Sequence, residues 1–137
     1  MANEATLIFT DGVPIPFTCA DGTGIERGTI LKMTDPFTAI AASGVNDIVA
    51  GIAATEKIAS DGKTKIAVYR SGIFKVTASG SIAVGDSCGT DISNLIRSNT
   101  NTNSLSGSKS IGIALETAAN GETFLMELKP TIISTSL

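Results

Sequence analysis

The sequence lacks histidine and tryptophan, has one tyrosine, and contains no run of about 18 apolar residues that could cross a membrane. Histidine is the usual acid–base side chain at neutral pH and a common metal ligand, so its absence disfavours a metal site and most hydrolytic chemistry. No histidine is present to act as the base for a serine nucleophile, which leaves only serine–lysine chemistry open. We therefore expect no enzyme, no metal, no cofactor and no membrane insertion.

The two cysteines, Cys19 and Cys88, have neither a CxxC spacing nor a histidine to complete a metal set. Free cysteine is among the most buried residue types, so we expect both to be small, semi-buried apolar residues. A disulfide between them is topologically possible, but a cytosolic origin argues against it. The N-terminus MANEATLIF lacks a basic segment followed by a long apolar one, which predicts synthesis in the host cytoplasm without a signal peptide.

Positive charge is scarce and scattered along the chain. Ten Lys and Arg stand against 13 Asp and Glu, which gives a net charge of −3 and a pI near 4.8. Proteins that bind phosphate backbones need clustered Lys and Arg, and this sequence has no such cluster. It therefore predicts no binding to nucleic acid.

Short runs of Ile, Val, Thr and Phe lie between closely spaced glycine turns along the 137 residues. This spacing is typical of an all-β domain. We predict a mainly β fold with little helix, a compact single-domain β-barrel or β-sandwich over residues 18–137. Residues 1–17 are expected to form an extended N-terminal arm, and residues 94–110, rich in Asn, Ser and Thr, an exposed polar loop. The only helical candidate is the short stretch from Phe37 to Ser43.

An alternating pattern on both sides of Asn120-Gly121 predicts a half-buried hairpin near the C-terminus. The apolar residues expected on its buried faces are Ile111, Ile113 and Leu115 before the turn, and Phe124, Met126 and Leu128 after it. A second strand pair is expected over residues 48–55 and 65–69. A further strand follows at residues 73–77, with Phe74 and Val76 on one side.

A weak internal echo links GIERG at residues 24–28 with SIAVG at residues 81–85. Ile82 lies 57 residues after Ile25 (82 − 25), and each Ile-x-x-Gly segment predicts a tight turn whose glycine takes a positive φ. Duplication of a segment would explain the echo. Repeated use of the same turn chemistry also explains it, and the sequence alone favours this second explanation.

The segment SDGKTKIAVYR contains Gly62-Lys63-Thr64, the last three residues of a phosphate-binding loop. That loop has the form G-x-x-x-x-G-K-[ST], so its first glycine belongs at the position of Lys57. The loop also opens a helix, whereas residues 65–69 are expected to continue as a strand. A β-turn at Asp61-Gly62 is therefore the better prediction.

The N-terminal arm combines the apolar stretch Thr6-Leu7-Ile8-Phe9 with the sequence Pro14-Ile15-Pro16-Phe17. Proline cannot donate a backbone hydrogen bond, so we do not expect Pro14 and Pro16 in the middle of a sheet. An extended apolar segment can pair with a partner's sheet, and the prolines would stop that pairing from spreading.

Tyr69 and Arg70 precede the segment Ser71-Gly72-Ile73-Phe74. Tyrosine and arginine are frequent interface anchors, because each offers a large contact area with a polar tip. The sequence equally allows Tyr69 to cap the edge of the core and Arg70 to lie in solvent.

Several of these segments together resemble the tailed-phage capsid decoration, or cement, proteins. Members of that family begin with an IPF-containing arm, continue through ADGTGIxxGTLLKLTDP and finish with GxALETA-GETFLVEL. The middle of the chain is similar to the lambda-type head decoration protein. The matching segments are Ile15-Pro16-Phe17, Ala20 to Pro36, Tyr69 to Phe74 and Gly112 to Leu128. The resemblance extends over nearly the whole chain, with the main interruption at residues 94–110.

This resemblance implies a viral structural protein of the virion that binds the outside of the expanded phage capsid and stabilises it. The implied partners are the major capsid protein and further copies of the chain in a homotrimer. The residues then expected to contact the capsid are Thr6, Leu7, Ile8, Phe9, Pro14, Ile15, Pro16 and Phe17. The residues expected at the trimer interface are Tyr69, Arg70 and Phe74.

The main alternative is a small β-barrel module that binds a ligand or a carbohydrate, on a virion or elsewhere. A sugar-binding module needs a concave cluster of aromatic side chains, which one Tyr, five Phe and no Trp disfavour. An enzyme is the third possibility.

Overall fold

The computed structural model describes residues 2–99 and 109–132, without the side chain of residue 132. Within these segments the chain forms eleven strands and a single 3-10 helix at Ile92–Asn94, which confirms the mainly β prediction. None of its described helices is long and apolar enough to span a membrane. The strands are β1 (Thr6–Phe9), β2 (Ile15–Thr18), β3 (Ile30–Thr34), β4 (Thr38–Ala41), β5 (Val49–Ala53), β6 (Lys65–Tyr69), β7 (Gly72–Thr77), β8 (Ser87–Thr90), β9 (Ile96–Ser98), β10 (Lys109–Ala114) and β11 (Thr123–Ile132).

Strands β2 to β6 form a closed barrel in the order β2-β4-β3-β5-β6. The barrel closes through β2, which pairs antiparallel with β6 and parallel with β4, the latter only through Thr18 and Thr38. Its β5–β6 pair falls within the two ranges predicted from the sequence, residues 48–55 and 65–69. Apart from Phe17 and Cys19, the interior holds aliphatic side chains and alanines, because a barrel of this size leaves little space between its walls.

The remaining strands form a six-stranded sheet in the order β1-β7-β11-β10-β8-β9. A parallel bridge between Ala78 and Ile96 brings β9 back beside the end of β7. Phe74 and Val76 are both buried on β7, as predicted. This sheet therefore curls towards closure in the same manner as the barrel.

The second sheet repeats the barrel strand for strand. In chain order, β7 to β11 correspond to β2 to β6, and the four antiparallel pairs and the one parallel contact all recur. The registers agree too: Leu31 lies opposite Gly51, and at the matching place Cys88 lies opposite Gly112. The chain thus contains two copies of a five-strand unit. This corrects the expectation that turn chemistry alone explains the internal echo.

Each unit contains the turn that the echo identified. Gly28 has a φ of 87° and Gly85 a φ of 88°, a conformation that residues with a Cβ rarely adopt. The isoleucine before each glycine exchanges two backbone hydrogen bonds with a later residue of its own unit. The bonded pairs are Ile25 with Lys57 and Ile82 with Ala118.

The two units also share their core positions. Nine buried apolar residues fill the barrel, and the residues at the nine matching positions fill the second unit. The barrel residues are Phe17, Cys19, Ile25, Leu31, Ala39, Ala50, Ala53, Ile66 and Val68. Their counterparts are, in the same order, Val76, Ala78, Ile82, Cys88, Ile96, Ile111, Ala114, Phe124 and Met126. Both cysteines are free and buried.

A further apolar layer joins the units. Ile30, Val49 and Ile52 are buried barrel residues that belong to the core cluster of the second unit, together with Phe74 and Leu128. Their chain neighbours in β3 and β5 point into the barrel, so these three side chains lie on its outer face. The outer face of the barrel therefore completes the core of the second unit.

The stretch from Phe37 to Ser43 is not helical, so that prediction is wrong. Thr38–Ala41 forms β4, which pairs with β3 along its whole length. Ala39 is buried in the barrel while its neighbours are less buried. The pairing and the alternation of a strand outweigh the helical preference of the alanines.

In the C-terminal hairpin, Ile111 and the three residues after the turn are buried as predicted, but Ile113 and Leu115 are exposed. A register shift between Ser110 and Gly112 changes which side chains face inwards. Ala114 therefore follows Ile111 into the core, and the prediction for Ile113 and Leu115 is wrong.

Within the range 94–110 predicted as a polar loop, Ile96–Ser98 forms β9 and residues 109–110 begin β10. Residues 100–108 lie outside the described residues. Asn94 links the units: its side chain accepts a hydrogen bond from Ile30 N–H (2.7 Å) and donates to the carbonyl oxygens of Asn3 (2.9 Å) and Gly28 (3.0 Å).

The described part of the predicted arm, residues 2–17, belongs to the domain and does not form a separate arm. β1 pairs antiparallel with β7, and β2 is a barrel strand in which Pro16 lies opposite Ala67. Because β2 meets β4 only through Thr18, the residues before Thr18 keep one open side. A proline has no N–H to donate, and on the open side this removes no hydrogen bond between strands.

A side chain at Gly112 has no space, because a Cβ there would overlap the carbonyl oxygen of Glu127 on the paired strand. We expect Gly112→Ala to lower the free energy of unfolding by about 1–3 kcal/mol, a typical cost of overpacking, as measured by urea denaturation. Gly22→Ala is the matched control, since nothing lies within 4 Å of a Cβ at Gly22. Equal stability of the two variants would contradict this close approach of β10 and β11.

Candidate functional site

The Gly62-Lys63-Thr64 segment lies in the connection between β5 and β6, and β6 begins at Lys65. Gly62 N–H donates to Asp21 Oδ1 (2.8 Å), and Lys63 N–H donates to Asp61 Oδ1 (2.9 Å). These N–H groups, which would face a phosphate in a phosphate-binding loop, are bound to carboxylates of the chain itself. The segment is a turn that leads into a strand, as predicted.

Lys57 is buried next to this turn, with 3% of its surface exposed. Its ammonium group lies 2.7 Å from Asp61 Oδ1 and 3.0 Å from Asp21 Oδ1. It also donates to the carbonyl oxygens of Asp21 (2.9 Å) and Ile58 (2.6 Å). A buried cation needs such partners because an unpaired charge away from water is strongly unfavourable. The cluster fastens the loop that contains Asp21 to the β5–β6 connection.

The ionic cluster belongs to the first unit alone, because the position that matches Lys57 is occupied by Ala118. The β5–β6 connection spans residues 54–64, whereas the matching β10–β11 connection spans the shorter range 115–122. Lys57 therefore holds the longer β5–β6 connection in place, whereas the shorter β10–β11 connection of the second unit does not need such a residue. Its role in the fold is structural.

The protonation states of the cluster agree with this role. Burial lowers the pKa of Lys57, but its hydrogen bonds to Asp61 and Asp21 outweigh that effect and raise the pKa above its ordinary value. The hydrogen bond from Lys57, followed by that from Lys63 N–H, lowers the pKa of Asp61. Lys57 and Asp61 are therefore both charged at neutral pH, which disfavours Lys57 as a nucleophile.

The thiols show no sign of activation. Burial raises the pKa of Cys19, and it raises the pKa of Cys88 to about 12. A reactive cysteine needs a lowered pKa and access to solvent, so neither thiol is poised for chemistry. Within residues 2–99 and 109–132, no three Cys, Asp or Glu side chains are grouped so that they could hold a metal ion.

β1 is an edge strand that pairs with β7 on one side and has no neighbour on the other among the described strands. Ile8 and Phe9 are 54% and 59% exposed, and Val13, in the connection to β2, is 85% exposed. Ile15 is also exposed at the start of β2. These four residues, Ile8, Phe9, Val13 and Ile15, are called the apolar edge below.

The eight residues predicted to contact the capsid differ in their accessibility. Phe17 is a barrel core residue whose ring stacks on Phe37 at a centroid distance of 4.3 Å, so it is unavailable to a partner. The exposed members are Thr6, Ile8, Phe9, Ile15 and Pro16, and the half-buried members are Leu7 and Pro14.

The three residues predicted at a trimer interface are engaged within the chain. Phe74 is 1% exposed and lies in the core, so its assignment to an interface is corrected. Tyr69 is half-buried against that core, with its ring 5.6 Å from the ring of Phe74. The Arg70 guanidinium donates to the carbonyl oxygens of Ala50 (2.8 Å) and Val49 (3.3 Å). Tyr69 thus caps the edge of the core, and Arg70 is anchored on β5.

A cleft of about 280 Å³ lies beside β1. Its walls are residues 4–7 on one side and Arg27, Ala54 and Tyr69 on the other. It continues into a wider hollow of about 470 Å³, which Glu26 and Glu56 also line. No sequence pattern marks this cleft because its residues come from distant segments of the chain.

The fold and this edge can be compared with known proteins. Residues 9–129 match the model of the phage cement protein family, which is most of the chain. The chain belongs to the phage cement protein family. The cement protein is thus a structural component of the phage head that decorates and stabilises the capsid, as the resemblance implied.

The cement protein is also similar in fold to a solved phage structure, the crystal structure of the head fiber gp8.5 N base in bacteriophage phi29. The TM-score is 0.56 at 19% sequence identity, and the match covers 88% of this chain and 98% of that chain. Among curated proteins, none matches the sequence.

The Lys57 cluster predicts an acid-sensitive stability. A carboxyl group whose pKa is lower in the folded state stabilises the fold above its unfolded pKa, and this contribution is lost as the pH falls through the folded pKa. The melting temperature should therefore decrease when the pH is lowered below about 4, which is the range in which an Asp carboxyl ordinarily gains its proton. Asp61→Asn should melt at a lower temperature at pH 7 and show a flatter acid profile.

Asp11→Asn is the control for this experiment, since Asp11 is exposed and lies outside the cluster. Thermal melts followed by circular dichroism across the acid range would compare the three proteins. An Asp61→Asn profile that runs parallel to that of the unchanged protein would contradict the role of the cluster.

Proposed function

We propose that the cement protein binds the outer surface of the expanded phage capsid through β1 and the apolar edge, and that this contact stabilises the shell. The observation that carries the proposal is an edge strand with one unpaired side and with Ile8 and Phe9 exposed. Exposed apolar side chains on an open strand edge are unusual on a protein that works alone, because such an edge recruits further strands.

The physical basis of the contact is strand addition. The unpaired N–H and C=O groups of β1 can form hydrogen bonds with a strand of the major capsid protein. The exposed apolar side chains add contact area next to that pairing. β1 carries neither proline nor lysine, the residues that commonly protect an edge from pairing. Ile8 sits where the pairing of β1 with β7 is irregular, between Leu7 and Phe9.

Stabilisation follows from binding one state of the shell. A protein that binds the expanded capsid and not the alternatives shifts the equilibrium towards the expanded form by mass action. This activity requires adhesion and no turnover. The proposal also includes synthesis in the host cytoplasm and no role in binding nucleic acid, in line with the scattered positive charge.

We propose in addition that the cement protein acts as a homotrimer, as the family resemblance implies. Three copies present three β1 edges to the shell, and linked contacts bind more tightly than single ones. Phe74 is excluded from the trimer interface by its burial, whereas Tyr69 and Arg70 remain partly accessible.

The double variant Ile8→Lys/Phe9→Lys tests the capsid contact. We expect it to remain folded, because both side chains are exposed, and to lose at least about tenfold in affinity for expanded capsids, because two lysines would have to be desolvated in the contact. Co-sedimentation with expanded capsids measures the binding, and thermal melting verifies the fold.

Val84→Lys is the matched control, since Val84 is 64% exposed in the second unit and away from β1. Capsid binding by the double variant at the level of the control would reject the role of β1. Deletion of residues 1–17 is a poor substitute because it removes the buried Ala5 and Phe17 and would damage the fold.

The trimer is tested by the mass of the protein in solution. One chain weighs 13.9 kDa, so the trimer should weigh about 42 kDa (3 × 13.9). Size-exclusion chromatography with light scattering over a range of concentrations measures this mass, and a monomer mass throughout would contradict the proposal for the free protein.

A further inference from the structure

We infer that the segment that pairs with β1 is an extended, basic strand of the partner, held in the cleft between β1 and the barrel. This inference rests on the proposed capsid contact and adds the chemistry of the segment that makes it. The partner strand would carry Lys or Arg near the Glu4 end of the cleft and apolar side chains near Phe9.

The cleft follows the edge of β1 and not one of its faces. Four consecutive residues line it: Glu4 and Ala5, which precede β1, and Thr6 and Leu7, its first two residues. Neighbouring side chains of a strand point to opposite faces, so a cleft that both Thr6 and Leu7 border runs along the backbone edge. Ala5 N–H already donates to the carbonyl oxygen of Gly28 (3.0 Å), so the groups open to a partner belong to β1 itself. Backbone N–H and C=O groups are what an incoming strand would pair with.

The opposite wall of the cleft leaves room for a backbone. Ala53 and Ala54 line it with the smallest side chains that carry a Cβ, and Tyr69 adds a flat aromatic surface. The cleft has a volume of about 280 Å³. An extended segment needs less space than a helix, whose diameter with side chains is about 10 Å or more.

The charge of the cleft selects a basic segment. Glu4, Glu26 and Glu56 line the cleft and the hollow that continues it, against the single cation Arg27. The ion pairs found within residues 2–99 and 109–132 are both made by Lys57, so these three carboxylates make none there. A partner with Lys or Arg in this place gains complementary charge and faster association.

The two ends of β1 differ in chemistry, which orients the partner strand. The end near Glu4 is acidic, and the end near Ile8 and Phe9 is apolar and exposed. A strand bound in the reverse direction would place its basic side chains against Ile8 and Phe9, where they lose water without gaining a partner. The cleft therefore specifies the direction of the segment as well as its charge.

The experiment uses two labelled peptides, Lys-Val-Lys-Val-Thr-Val-Ile-Val and the same peptide with Glu in place of both Lys. Fluorescence anisotropy with the full chain at low and high ionic strength measures their affinities. We expect the lysine peptide to bind about tenfold more tightly than the glutamate peptide at low salt, with the difference shrinking as salt screens the charges.

The double variant Glu26→Gln/Glu56→Gln should remove most of this difference, while Glu127→Gln, an exposed position on β11, should preserve it. Glu4 is left unchanged because its side chain packs over Gly28. Equal affinity of the two peptides, no binding of either, or a preference that survives the double variant would each overturn the inference.

Co-sedimentation with expanded capsids separates this inference from the proposed function. Should Ile8→Lys/Phe9→Lys abolish capsid binding while Glu26→Gln/Glu56→Gln leaves it unchanged, the contact through β1 stands and the basic strand is rejected. Should neither variant affect capsid binding, the contact through β1 fails, and the inference fails with it.

Discussion

The packing of the barrel's outer face against the second unit is the interaction on which the rest of the structure depends. Ile30, Val49 and Ile52 alternate with residues that fill the barrel, so the same two strands serve two cores. Without these side chains, Phe74 and Leu128 would face water. Burial of one aliphatic side chain of this size contributes about 1.5–3 kcal/mol, so the barrel holds the second unit in place, and with it β1, which pairs with β7.

The second unit does not offer the same face to a third. The positions that match Ile30 and Val49 are Ser87 and Ser110, whose hydroxyl groups lie 3.1 Å apart in a hydrogen bond. Ile113, the match of Ile52, is exposed. A further unit would meet a more polar surface and lose the apolar burial that joins the first two. A polar outer face is how repeat structures end, and it explains why the duplication produces one compact pair.

The sequence predicted the strands whose two faces differ in polarity, including β6, β7 and the hairpin of β10 and β11, and it also predicted β5, whose apolar residues are buried on both faces. It did not reveal the duplication because matching core positions keep an apolar character and not an identity, as Phe17 and Val76 show, and because the connecting loops differ in length. Nor could the sequence distinguish the buried Phe74 from the exposed Phe9, because both lie in short apolar strands. Burial of one and exposure of the other are decided by contacts between the units. The candidate contact strand could be read from composition, whereas the acidic cleft beside it could not, since it assembles from distant glutamates.

The two open edges near the N-terminus have opposite chemistry, and this difference supports the proposed contact through β1. β2 and β7 occupy matching positions, and the side of β7 that β1 covers corresponds to the open side of β2. On that side lie Pro16 of β2 and Pro14 just before it, which have no N–H to offer, so a second copy of β1 cannot add there. β1 itself keeps its N–H groups and exposes Ile8 and Phe9. Of these two edges, the fold blocks the one that would join copies of the barrel and leaves open the one that can join a different partner, so the edges themselves can make the proposed contact selective.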